Sequence, residues 1–181
     1  ADLHEHQVAV SFTDLQKDVN GIYTAKDAAQ RAHSILDERL MSESNESVNA
    51  ESFHKVMAAW AYSLDDSAPQ QVEKLLKTLE KSNMVTDDSY HWVIETLARS
   101  NPEDRLDDIH HYFNKMDRLS LRTVRTLLFS YRKVVRQNRL EAEPLMHRAL
   151  GLFEKVRSNF KETGRPEDEP DAKLYTDGTF E

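Results

Sequence analysis

Phe53-His54-Lys55-Val56-Met57-Ala58-Ala59-Trp60-Ala61-Tyr62-Ser63 is answered 37 residues later by Tyr90-His91-Trp92-Val93-Ile94-Glu95-Thr96-Leu97-Ala98-Arg99-Ser100. Phe53, Val56, Met57, Trp60 and Ala61 match Tyr90, Val93, Ile94, Leu97 and Ala98 in spacing and in character. Apolar residues at i, i+3, i+4, i+7 and i+8 form the buried face of an amphipathic helix. The offset persists downstream, where Leu75, Leu76 and Leu79 correspond to Tyr112, Phe113 and Met116. A fixed period of this size marks stacked helix pairs, each burying its apolar face on the next.

The grammar of the pair can be read outward from the phrase. Ser67, with Pro69 in the first turn, is expected to cap a partner helix carrying Val72, Leu75, Leu76 and Leu79. In the second unit Asp87 or Asp88 is expected to cap the first helix. Asn101-Pro102 opens the second, which carries Leu106, Ile109, Tyr112, Phe113 and Met116. A third unit follows at an offset of 34, with Val124, Leu127, Leu128 and Tyr131, and its helix runs on through Val134 and Val135. Its partner holds Leu145, Met146, Ala149, Leu152, Phe153 and Val156. Upstream, Thr24 with Asp27 caps a helix whose apolar stripe is Ala28, Ala29, Ala32, Ile35, Leu36 and Leu40. It reads as the second member of a partial unit. The expected fold is therefore all-α, an α-α superhelix (solenoid) of antiparallel helix pairs with about three full repeats and a partial one. It divides into a loose N-terminal segment with a short helix (1–23), a repeat domain (24–159) and an acidic tail without fixed structure (160–181).

Composition narrows the function. Four glycines and five prolines among 181 residues, with 31% charged, suit a helix-rich chain. No cysteine is present, which excludes disulfides, thiolate metal sites and cysteine nucleophiles. No apolar run is long enough to span a bilayer, and the first residues do not read as a signal peptide. No glycine-rich phosphate loop or nucleophile elbow occurs, and no pair of histidines shares a helix face with a supporting carboxylate. No enzyme activity, cofactor, metal or small-molecule substrate is expected. Paired acids such as Asp65-Asp66 and Asp107-Asp108 are expected at helix starts, where the macrodipole would account for them.

The net charge of −8 argues against a generic nucleic-acid binder, yet it is unevenly sorted. Between Lys115 and Arg139 stand eight basic residues and one acid, Asp117, so this window carries +7 and the remainder −15. Arg118, Arg122, Arg125, Arg132, Lys133, Arg136 and Arg139 fall within roughly 120° of one another on a helical wheel. Such a stripe can dock RNA phosphates, an acidic protein surface or the chain's own acidic tail. Trp60 lies on the repeated apolar face and belongs to the core. Trp92 lies off it and is expected exposed on the concave side, where it would serve as a binding anchor.

These units resemble the pentatricopeptide-repeat family. The likeness rests on an aromatic residue three places before a pair of aliphatics (Phe53/Val56/Met57, Tyr90/Val93/Ile94). It rests also on a Leu-Phe-x-x-Met-like phrase, present as Leu75-Leu76-x-x-Leu79, Tyr112-Phe113-x-x-Met116 and Leu152-Phe153-x-x-Val156. The resemblance covers about residues 24–158. It implies a right-handed superhelix, a mitochondrial or plastid location, and single-stranded RNA as a ligand class. A cytoplasmic location is the alternative. The family's base-reading positions fall on Lys55, Trp92 and Thr126, of which only Thr126 suits a base edge. The second readers fall on Ala50, Asp87 and Leu121, of which only Asp87 suits. No unit has both, so the family's base code does not carry over. The favoured expectation is a non-catalytic scaffold that binds protein partners in an assembly. It would use Lys55, Trp92 and Arg125 on the concave face together with the basic stripe. The alternative is an organellar RNA-binding protein contacting phosphates through Arg122, Arg125, Arg132 and Arg136.

Overall fold

The computed structural model describes residues 24–41 and 48–163, with side chains through Ser158. The expectations for residues 1–23 and for the tail from 164 onward lie outside the described residues. Within them the chain forms α1 (Ala25–Met41), α2 (Ala50–Ser63), α3 (Ala68–Lys81), α4 (Asp87–Arg99), α5 (Pro102–Asn114), α6 (Leu121–Gln137), a 3₁₀ turn (Arg139–Glu141) and α7 (Ala142–Thr163). There is no strand among the described residues, and the all-α repeat-like fold expected from the period is the fold observed. The last helix continues to Thr163, past the expected boundary at 159.

Each helix packs on its chain neighbours, and α2 also packs on α4, as α4 does on α6. The second helices α3 and α5 make no comparable contact with each other. The first helices thus form the tighter, inner layer of the stack. One continuous core joins the units. Phe53, Val56, Met57 and Trp60 of α2 meet Val72, Leu75, Leu76 and Leu79 of α3. Val93, Ile94, Leu97 and Ala98 of α4 follow, then Ile109 and Phe113 of α5. Val124, Leu127, Leu128, Tyr131 and Val134 of α6 bury Leu145, Ala149, Leu152 and Val156 of α7. Two stripe residues depart from expectation: Ile35 and Met146 are 44% and 53% exposed, at the edges of their apolar arcs.

The helix starts show which side chains do the capping. Thr24 and Asp27 exchange hydrogen bonds reciprocally, with Thr24 N donating to Asp27 at 2.8 Å and Asp27 N to Thr24 Oγ1 at 3.2 Å. Asn49 caps α2 by accepting from Ser52 N at 3.0 Å. Ser67 stands at the start of α3 but does not cap it. Its amide and hydroxyl donate instead to Asp65, at 3.0 and 2.5 Å. Lys26 of α1 reaches the same carboxylate at 2.8 Å. Lys26 first, then Ser67, hold the Asp65 carboxyl down to about 2. The partial unit is thereby pinned to the first turn of the stack. Between them Leu64 ends α2 in the left-handed region at φ 54, a conformation that costs a leucine roughly 1 kcal/mol.

At α4 the cap is Thr86, not Asp87 or Asp88, and Thr86 N donates to Ser89 Oγ at 3.1 Å. Asp87 is left to bind elsewhere, and its carboxylate accepts the backbone amides of Asp117 and Arg118 at 2.9 and 3.0 Å. One acid at the start of unit two thus fixes the connection into unit three. Replacing Asp87 by alanine is expected to cost about 1–3 kcal/mol, because two amides lose a charged acceptor. A lowered urea midpoint, with faster exchange of the Asp117 and Arg118 amides, is the measurement; unchanged exchange would refute the clamp. Asn101 and Pro102 begin α5 as expected, but the Asn101 amide donates to Asp104 at 2.6 Å rather than capping the backbone. The acids of its first turn are Glu103 and Asp104, so Asp107 and Asp108 lie within the helix and not at its start.

Candidate binding face on the first helices

Because first helices lie side by side, residues one period apart become lateral neighbours. Ser52, Ser89 and Thr123 share one such position, and His54 and His91 share another. His54 Nε2 meets Ser89 Oγ at 2.8 Å, and His91 Nδ1 meets Thr123 Oγ1 at 3.1 Å. The pair of histidines is thus a repeated rung that ties each first helix to the start of the next. His91 is buried, with no hydrogen-bond partner at Nε2 among the described residues. Burial, reinforced by the Arg122 charge, pushes it down to about 4.

A second row is Tyr62, Arg99 and Lys133. The Arg99 guanidinium lies 4.4 Å from the Tyr62 ring centre. Lys133 Nζ donates to the Ala98 and Arg99 carbonyls, both at 3.3 Å, so it caps the end of α4. Arg99 Nε also pairs with Glu95 Oε1 at 2.6 Å. Burial would raise the Glu95 carboxyl, but hydrogen bonds from Thr126 and Arg99 outweigh it and hold the group below its ordinary range.

The α4 and α6 surfaces frame an open hollow of about 610 Å³, with Glu95 and Arg99 on one side and Arg122, Arg125, Phe129 and Arg132 on the other. On α6 these recur at steps of three and four, so they share one face. Phe129 stands in the middle of the arginines and is 46% exposed. Arg122 lies over Trp92, 4.2 Å from its ring centre, and the Tyr62 ring meets the same indole edge-on at 6.2 Å. The Arg132 Nε is buried without a hydrogen-bond partner among the described residues.

The structure brings Trp92, Arg122, Arg125, Thr126 and Arg132 together and leaves two candidates aside. Lys55 is exposed on α2, paired with Glu51 at 3.0 Å, and does not line the hollow. Arg136 is exposed one turn beyond Arg132, outside it. Two candidates change character. Trp92 is half-buried and covered by Arg122, not openly exposed, because its ring leans on the core while a guanidinium roofs it. Thr126 is buried at 8% exposure, and its hydroxyl donates to Glu95 at 2.5 Å, which leaves it no edge for a base. Asp87, the suited second reader, is occupied with backbone amides. Sequence reasoning does not single out Tyr62, Glu95, Arg99 or Phe129, and it places Lys133 only as one member of the basic stripe. For three of these the signal is present in the period itself, which sets Tyr62, Arg99 and Lys133 in one row.

Among the described residues no group of three or more His, Asp or Glu is placed to hold a metal ion, and no helix is long and apolar enough to cross a membrane. Compared with known proteins, the chain matches no family model, no curated protein and no solved structure.

Proposed function

We propose that this chain is a non-catalytic helical-repeat module that holds an acidic polypeptide partner across its first-helix face. The observation that carries the reading is the hollow between α4 and α6. Four guanidiniums line it together with a single carboxylate, Glu95, whose oxygens are already taken by Arg99 and Thr126. A face so rich in cation around an exposed phenylalanine suits a partner that supplies acids and an apolar side chain together. The resemblance to pentatricopeptide repeats supports a macromolecular ligand, and a mitochondrial or plastid setting rests on that resemblance alone. A protein partner is preferred to single-stranded RNA because Thr126 and Asp87, the positions suited to reading bases, are engaged within the fold.

Purifying the native assembly tests the reading. A stoichiometric protein should co-purify with the wild-type chain and be lost when Arg122 and Arg132 are both changed to glutamate. Recovery of RNA alone, with single-stranded RNA affinity falling steeply with salt and abolished by the same double change, would overturn the reading in favour of the RNA-binding alternative.

A further inference from the structure

Arg99 and Arg122 are the same device in two states. Each guanidinium carbon lies over an aromatic ring, 4.4 Å from the Tyr62 centre and 4.2 Å from that of Trp92. Stacking occupies the face of a guanidinium and leaves its in-plane N–H groups pointing sideways, in the geometry that matches a carboxylate. At Arg99 that position holds the Glu95 carboxylate, 2.6 Å from Nε. At Arg122 no carboxylate among the described residues fills it, although the residue lines the same hollow. The two are not at equivalent repeat positions, so the likeness is one of geometry rather than of repeat ancestry.

We propose that Arg122, held on Trp92, is a carboxylate fork that receives an aspartate or glutamate of the partner segment. The inference rests on the reading of the basic face given above and goes beyond it by fixing the spacing of the ligand. Arg132, which lines the same hollow beyond Phe129, receives a second carboxylate at the guanidinium nitrogens other than its buried Nε. Ten residues separate the two arginines along α6, about 15 Å of helix axis. An extended chain covers that distance in four to five residues. Phe129 lies between them, so the segment carries an apolar side chain between its acids. The ligand is an extended peptide with two acids four or five positions apart around a leucine-like residue.

A fluorescent peptide with two glutamates five positions apart and a leucine between them, in a glycine-serine background, is the probe. Changing both glutamates to glutamine is expected to weaken binding by about tenfold or more, since the fork then meets a neutral amide. Arg122→Lys keeps the charge but loses the stacked fork, and is expected to weaken the glutamate peptide by about tenfold. Arg132→Lys should act in the same direction, whereas Arg157→Lys on α7 should change affinity by less than about twofold. Thermal midpoints of the variants check that each is folded. Equal affinity of wild-type and Arg122→Lys would overturn the fork while leaving the basic-face reading to its own charge-reversal test. Equal binding of the glutamate and glutamine peptides would overturn carboxylate recognition. Preference for an oligouridylate of the same length over the glutamate peptide would overturn the proposal in favour of phosphate recognition.

Discussion

Phe53→Ala is expected to destabilise the protein by about 3–5 kcal/mol, the range for emptying the site of a fully buried phenylalanine. The ring is 0% exposed and belongs to the core shared by the units. Domains of ordinary stability have only about 5–15 kcal/mol in hand, so this single change removes a large fraction of the total. The repeat sets up an internal comparison. Tyr90 occupies the matching place in the second unit, yet it is only half-buried and stacks on Tyr112 with ring centres 6.5 Å apart. Tyr90→Ala should therefore cost less than half as much, although the sequence phrase treats the two positions alike. Phe129→Ala, at 46% exposure, should cost less than about 1 kcal/mol. Urea denaturation of the three variants measures the order. Equal losses for Phe53 and Tyr90 would show that the core does not treat the units as the structure describes.

That comparison marks how far the sequence can be read. Buried positions obey a period because each helix meets the next through the same arc, so Phe53, Met57, Trp60, Ile94, Leu97 and Leu127 are all legible from spacing alone. Caps are less legible, since Asp, Ser, Thr and Asn compete for the same few amides. Asp87 reads as a cap for its own helix but serves the following connection, and Ser67 serves Asp65. The binding face lies at the limit. The like-charged stripe on α6 is visible, but its meaning depends on what α4 sets opposite it. Glu95 takes the Arg99 guanidinium and the Thr126 hydroxyl, and Trp92 takes the face of Arg122. Lys133, counted with the stripe, instead caps the end of α4, and burial lowers its affinity for the proton. The Glu95–Arg99 pair is local, four residues apart on α4, but the others cross between helices about 30 residues apart, and no local pattern encodes those.

The histidine rungs make stability depend on pH, and the sign follows from burial. His91 is pushed down to about 4 in the folded chain, against about 6.5 when unfolded. The unfolded state therefore binds a proton that the folded state refuses. This contribution is fully present above about pH 6.5 and is lost as pH falls toward 4, below which both states are protonated and the loss stops. Over that window the loss is roughly 3 kcal/mol, of which about 2 kcal/mol has gone by pH 5. Burial lowers His54 and His110 too, so both act in the same direction. The groups facing His91 do not reverse the sign: Arg122 disfavours its protonation, and Glu95 and Asp88 only partly offset the burial. The lowered carboxyls lose their contribution further down, Glu95 below about pH 4.5 and Asp65 between about 3.8 and 2, so the histidine window opens first. Urea denaturation at pH 7 and pH 5 should show the wild-type chain losing about 2 kcal/mol or more. His91→Asn, which keeps a polar group beside Thr123 but cannot titrate, should lose distinctly less across the same interval. A His91 ring resonance that titrates near 6.5, or a variant as acid-sensitive as the wild type, would remove His91 as the origin of the effect.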